Sequence, residues 1–343
     1  MKKITSLIMA AMILSTAAFG AEPEKRMAVV ELSSIYMRQA PDYESALETQ
    51  ELMGTVVEIV GEKGYWREIV SPQPYRAWAT EKGLVEMTPE QLKAYEAAPK
   101  VIFKELYGHI YSEPSVKAKT LCDLVGGDMM RLAVQQESGK AYEDKVRLKG
   151  KWSKVMLPSG RTGYVPTVEL RLHDGFITIA QGEGSAGIID PQTIEAIIAE
   201  AEKLLGVPYL WGGMTSKGVD CSGLVRISFL MNDILIPRNA SQQVSCGKAI
   251  EVPRADIKGR TEAEVRAEYD EAKALEAIKN LHRGDLVFFG NTETGRITHV
   301  GIYLGEGKII HSSHMVRINS LIPGEENYYE NAHRIIRACR LCY

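Results

Sequence analysis

Cysteine is scarce and late in this 343-residue chain: Cys122, Cys221, Cys246, Cys339 and Cys342 are the whole supply. With none before Cys122, the usual lipoprotein attachment residue is missing, and an odd count leaves at least one thiol outside any disulfide. Net charge is only -3, which gives no general reason to expect nucleic acid or an anionic membrane as partner. Close-spaced Cys/His ligand pairs are absent around Cys221, so zinc is disfavoured and no metal or other cofactor is expected. One apolar run near the start is too short to span a bilayer, and no later stretch is long enough.

That run goes from Ile4 to Phe19, behind Lys2 and Lys3 and ahead of Ala18-Phe19-Gly20. The layout is that of an export signal, residues 1–20, cleaved near Ala21. The expected mature protein is exported, periplasmic or secreted, without a membrane anchor. A hydrophobic content of 45% and a charged content of 25% are ordinary for globular proteins, and the length allows two or three domains.

An internal repeat fills the region from about 27 to 175. Gly64-Tyr65-Trp66-Arg67-Glu68-Ile69 answers Gly150-Lys151-Trp152-Ser153-Lys154-Val155, and Trp78 answers Tyr164 at the same offset. Pro41 and Pro114, like Gly54 and Gly127, align at a smaller offset, so the second copy carries a longer connection, placed at Gln135 to Lys145. Short strands with turn residues between them predict a small closed barrel in each copy. The copies resemble bacterial SH3-like domains in their Gly-x-Trp and Gly-Tyr-Val strands. The domains are expected at 27–87 and 101–175, joined by a linker helix within 88–100.

A polar, Gly-rich stretch from Gln181 to Gly187 marks the next boundary, with the last domain at 188–343. Asp190 is a helix N-cap with Pro191 at the first position. Ile194, Ile197, Ile198, Ala201, Leu204 and Leu205 form an apolar stripe ended by Gly206. Asp220 caps a second helix that buries Leu224, Ile227, Phe229, Leu230 and Met231. Residues 255–280 are charged and helix-prone, and read as an insertion packed on the surface. Strands are expected at Asp285–Phe289, His299–Leu304 and Lys308–Ser312.

Cys221 stands at the start of that second helix. A helix N-terminus and a neighbouring imidazole both favour a thiolate, and free amides there can bind an oxyanion. Against this stands the ordinary role of a buried structural thiol. His299 is the candidate base and His311 the group that orients it; each alone can be a satisfied structural histidine. A two-residue loop at Glu306-Gly307 puts the imidazoles on opposite faces of the hairpin. A three-residue loop over 305–307 pairs Gly301 with His311 and restores common parity, and is the form expected. His109 and His282 have no partner pattern. Cys339-x-x-Cys342 lacks a following helix and reads as packing thiols rather than a redox pair.

The motifs Tyr209-Leu210-Trp211-Gly212-Gly213, Asp220-Cys221-Ser222-Gly223-Leu224-Val225, Arg283-Gly284-Asp285-Leu286-Val287-Phe288-Phe289, Thr298-His299-Val300-Gly301-Ile302-Tyr303-Leu304-Gly305 and Ile310-His311-Ser312-Ser313 follow in order. Together they resemble the NlpC-type cell-wall cysteine peptidases. The resemblance implies a multidomain chain: two small SH3-like β-barrels followed by an α+β papain-like cysteine peptidase domain. It implies Cys221 as nucleophile, His299 as base and His311 as third polar residue. Tyr209 would line the site and donate to the oxyanion, unless it is a packing aromatic. The whole arrangement is similar to γ-D-glutamyl-L-diamino acid endopeptidases, which implies a murein peptide substrate whose free L-Ala amine is held at Asp220 and Ser222. Asp220 could equally be a pure N-cap. Trp78, Glu81 and Tyr107 are the barrel residues put forward as substrate contacts. A monomer is expected. Two other readings stay open: an autolysin cutting intact, glycan-linked peptidoglycan, and a non-catalytic wall-binding protein.

Overall fold

The computed structural model describes residues 25–133, 147–180, 182, 189–254 and 257–341. The expected leader, the inserted connection at 135–145, most of the 181–187 boundary and Cys342 lie outside the described residues.

The first barrel consists of β1 (Arg26–Val30), β2 (Ser34–Arg38), β3 (Leu47–Leu52), β4 (Val56–Lys63), β5 (Trp66–Ser71), β6 (Tyr75–Thr80) and β7 (Leu84–Met87). Helix α1 (Pro89–Ala97) follows, with Thr88 and Gln91 forming a capping box. The second barrel consists of β8 (Lys100–Phe103), β9 (Tyr107–Tyr111), β10 (Thr120–Val125), β11 (Met129–Leu132), β12 (Trp152–Met156), β13 (Thr162–Pro166) and β14 (Leu170–His173). Strand order is β3-β2-β6-β5-β4-β1-β7 in one and β10-β9-β13-β12-β11-β8-β14 in the other. The sequence repeat is thus one topology built twice, and Trp66 and Trp152 open its fifth strand in each copy.

The barrels are fastened to each other. Buried Asp128 accepts the backbone N–H of Val125 at 2.8 Å in its own barrel and of Met53 at 3.2 Å in the other. Glu31 of the first barrel accepts Ser159 N at 2.9 Å, Ser159 Oγ at 2.6 Å and Arg161 Nη2 at 2.8 Å from the second.

The third unit begins before the expected boundary. β15 (Ile177–Thr178) runs parallel to a later strand, β18 (Ile234–Leu235). Helix α2 (Pro191–Lys203) is capped by Asp190 and buries Ile194, Ile197, Ile198 and Ala201, while Leu205, beyond its end, is exposed. After it come β16 (Met214–Thr215), β17 (Gly218–Val219), α3 (Cys221–Leu230), α4 (Ala240–Gln243), β19 (Lys248–Ile250), α5 (Glu262–Ala267) and α6 (Glu271–Ile278). The chain then forms β20 (Leu286–Gly290), β21 (Ile297–Gly305), β22 (Lys308–Ser313), β23 (Met315–Ser320) and β24 (Ile335–Arg340). The main sheet has the order β19-β24-β20-β21-β22-β23.

Leu286, Phe288, Val300, Ile302 and Ile310 share one core with α2 and α3. Val287, Phe289, Tyr303 and Ile309, of opposite parity, share a second core with Ala274, Ala277 and Ile278 of α6. The charged segment 255–280 is therefore more than a surface insertion: its apolar side closes the far face of the sheet. Helix α3 also departs from the expected one-sided burial, because every residue from Cys221 to Leu230 is buried. Its polar side is covered by the first barrel. Arg226 donates to Ile236 O at 3.0 Å and lies 3.8 Å from Glu51 of β3.

Candidate active site

Asp220 fixes the start of α3 by accepting Gly223 N at 2.7 Å through Oδ1 and Leu224 N at 2.9 Å through its carbonyl. Gly223 is required by space, since a Cβ there would lie 2.1 Å from Gly213 O. Two first-turn amides are consumed, which leaves those of Cys221 and Ser222. The amides of Ser222 and Val300 are turned to the Cys221 sulfur. Val300 follows His299, so the thiol abuts the strand that carries the candidate base.

Burial, with the charge of Asp220 second, pushes the Cys221 thiol up to about 12. Burial also holds the His299 imidazole well below the usual histidine range, reinforced by His311, Arg334 and Arg317. Both shifts favour the uncharged forms, thiol and neutral imidazole.

His299 and His311 share one face of the sheet. His299 Nε2 lies 2.7 Å from His311 Nδ1, and His311 Nε2 lies 2.8 Å from Asn319 Oδ1. The expected register is present, although a different turn produces it. The turn is the two-residue Glu306-Gly307, with φ of +50° and +73°, closing Gly305 on Lys308. The shift between Tyr303 and Gly305 sets Leu304 aside as a bulge, so Ile302 faces Ile310 and parity is regained.

The tautomers follow from one end of this chain. Asn319 Nδ2 donates to Asn327 O at 2.5 Å, so its Oδ1 must face His311 as an acceptor. His311 then carries its proton on Nε2 and presents a bare Nδ1. His299 in turn donates from Nε2, which leaves its Nδ1 lone pair free to act as a base. The Tyr329 ring packs over both imidazoles, with centroids 4.6 Å from His311 and 5.9 Å from His299.

Asp220 and Ser222 are both already engaged. Asp220 accepts Gly212 N at 2.8 Å and Ser222 Oγ at 3.2 Å in addition to Gly223 N. Arg238 then grips both its oxygens, Nη1 at 3.0 Å and Nη2 at 2.7 Å, and donates to Ser222 Oγ at 2.8 Å. Asp220 thus carries its own guanidinium counter-charge within the third unit. Buried Arg238 is held in turn by Thr49 Oγ1 of β3, 2.8 Å from its Nε.

The first barrel reaches the site through β3. Gln50 Oε1 accepts Met214 N at 2.8 Å. Gly212, at φ +76°, leaves room for no side chain: a Cβ would lie 2.9 Å from Leu47 Cγ and 3.1 Å from Glu48 O. Glu48 is half-buried there and accepts the Tyr75 hydroxyl at 2.6 Å. Burial, then this carboxylate, raises Tyr75 to about 12, while Asn239 and Arg238 of the third unit act against the shift. Glu81, by contrast, is held by Arg67 at 2.8 Å within the first barrel. Trp78 sits in β6 opposite Glu68 and Arg38. Tyr107, 54% exposed, has His109 and Lys217 as partners. Tyr209 does adjoin the thiol: burial raises its hydroxyl, and the charges of Cys221 and Asp220 act in the same direction.

Among the described residues no cluster of three or more His, Cys, Asp and Glu is placed to hold a metal ion, and no helix is long and apolar enough to cross a membrane. Cys122, Cys221, Cys246 and Cys339 are free thiols.

A cysteine at a helix start facing a histidine relay on an antiparallel sheet is matched by known sequences. Residues 206–337 fit the NlpC/P60 family. The chain carries an NlpC/P60 domain. A γ-D-glutamyl-L-lysine dipeptidyl-peptidase of Bacillus cereus is 28% identical over 286 residues, 81% of this chain and 70% of the relative. The enzyme of the same description from Bacillus subtilis is 35% identical over 148 residues, 43% of this chain and 41% of the relative. In structure, an NlpC/P60 family protein from Bacillus cereus superimposes with a TM-score of 0.66 at 21% identity, covering 92% of this chain and all (100%) of the other. That likeness extends the shared fold beyond the NlpC/P60 domain to both barrels.

Proposed function

We propose that this protein is a cysteine endopeptidase that hydrolyses the γ-D-glutamyl–diamino acid bond of murein stem peptides and prefers a free N-terminal L-Ala. The observation that carries the chemistry is the fixed relay from Asn327 O through Asn319 and His311 to His299, which leaves a basic Nδ1 for the thiol. Its relatives among γ-D-glutamyl-L-lysine dipeptidyl-peptidases support the bond assigned.

His299 Nδ1 takes the Cys221 proton as sulfur attacks the γ-carbonyl of D-Glu. The oxyanion is received by the Cys221 amide and the Tyr209 hydroxyl. The intermediate collapses, and the leaving diamino acid amine takes the proton from the imidazolium. Water, deprotonated by the same nitrogen, then cleaves the thioester and restores the thiol. Glu48, brought in by β3 beside Gly212, supplies the carboxylate for the substrate ammonium, with Tyr75 holding it in place. The enzyme acts as a monomer outside the cytoplasm, after loss of its leader.

The test compares L-Ala-γ-D-Glu-diaminopimelate with its N-acetylated form, using wild type and Cys221→Ala. Cleavage of the free peptide by wild type alone is expected. Turnover by pure Cys221→Ala protein would overturn the mechanism. Equal rates on free and acetylated peptide would remove the amine preference and favour intact peptidoglycan as substrate.

A further inference from the structure

Arg317 lies on β23 directly opposite His311 on β22. Cross-strand partners point to the same face, with Cβ atoms about 5 Å apart, so the guanidinium shares the side of the sheet that carries the relay. Arg317 is half-buried, and its Nε is shielded from solvent without a hydrogen-bond partner. Among the described residues no carboxylate pairs with it. The neighbouring cations are placed differently. Arg334 donates to Gly290 O at 3.0 Å and Thr298 Oγ1 at 3.2 Å, and Arg238 is bound to Asp220. The charge of Arg317 is felt at His299, His311 and Tyr329, and in each case it disfavours a positive neighbour or favours a negative one.

An uncompensated guanidinium beside a catalytic base works against the imidazolium that must form there. Its retention is accounted for if an anion arrives with the substrate. A free stem peptide is rich in such anions: the α-carboxylate of D-Glu, the C-terminal carboxylate and, in diaminopimelate, a distal one. Arginine's planar fork matches a carboxylate in two-point contact. We propose that Arg317 binds a carboxylate of the peptide substrate and so sets which stem peptides are cleaved. The inference rests on the peptidase reading above and adds a specificity residue to it.

The test measures kcat/KM for wild type, Arg317→Gln and Arg317→Lys on L-Ala-γ-D-Glu-diaminopimelate and three neutralised variants. One carries a carboxamide at the D-Glu α-position, one has Lys in place of diaminopimelate, and one is amidated at its C-terminus. Wild type is expected to lose roughly ten- to hundredfold on one of the three. Arg317→Gln should treat that variant and the parent peptide alike, with Arg317→Lys recovering part of the difference. The variant affected identifies the carboxylate. If Arg317→Gln keeps the wild-type ratios on all three, the inference is overturned while the peptidase reading stands. If wild type cleaves none of the four peptides, it is the peptidase reading that fails.

Discussion

Asn327 O and Asn319 Nδ2 are 2.5 Å apart, and this one contact between two uncharged groups decides which nitrogen of His299 can act as a base. Replacing Asn319 with Leu removes the acceptor for His311 and lets both imidazoles change tautomer. We expect kcat to fall about a hundredfold, within the span attributed to a positioned general base, with KM nearly unchanged. Steady-state kinetics on the free tripeptide checks this, and a wild-type kcat would show that the tautomer is fixed elsewhere.

Glu48→Gln should separate binding of the substrate amine from chemistry. On the free-amine peptide kcat/KM is expected to drop roughly tenfold or more, the effect of losing one charge-assisted bond. The N-acetylated peptide should be affected far less. A parallel loss on both substrates would place the substrate amine away from Glu48.

Much of this site was legible in the sequence, and the part that was not shares a physical reason. Cys221, His299 and His311 could be placed because a helix cap and strand parity are local. Parity was right even though the turn was not: a residue set aside at Leu304 does the work assigned to a longer loop. Arg238, Asn319 and Tyr329 gave no signal, since each is an isolated polar or aromatic residue whose importance comes from what it meets after folding. The same holds for the barrel contacts. Nothing local to Leu47–Leu52 shows that this strand faces the third unit. Nor does the Asp220-Cys221-Ser222 motif show that a guanidinium eighteen positions away in the chain pairs with Asp220.

Arg238→Met leaves Asp220 buried without its counter-charge. Breaking a buried pair in this way costs about 3–5 kcal/mol, so a large drop in the urea midpoint is expected. Thr49→Val, which removes only the hydroxyl under Arg238 Nε, should cost about 1–3 kcal/mol. Equal stability of wild type and Arg238→Met would mean that Asp220 is solvated or protonated.

His311 gives stability a defined pH dependence. Burial lowers its folded pKa to about 4, below the unfolded value near 6.5. The unfolded chain therefore takes up a proton first as pH falls, and stability drops between about 6.5 and 4. The 2.5-unit difference corresponds to about 3 kcal/mol. Above 6.5 this group contributes no pH dependence. Urea titrations at pH 7, 5.5 and 4 should show the decline in wild type and a shallower one in His311→Asn. A flat profile would place a solvated, ordinary histidine at that position.

The way β3 lies over α3 bears on how such a protein can change over generations. Thr49, Gln50 and Glu51 belong to the first barrel by sequence, yet they supply the bonds that Arg238, Met214 and Arg226 lack within their own unit. A gene fusion that transplants only the catalytic segment would carry over Arg226 without Glu51, Arg238 without Thr49 and an open flank. In this chain the catalytic segment and the first barrel pack as one unit.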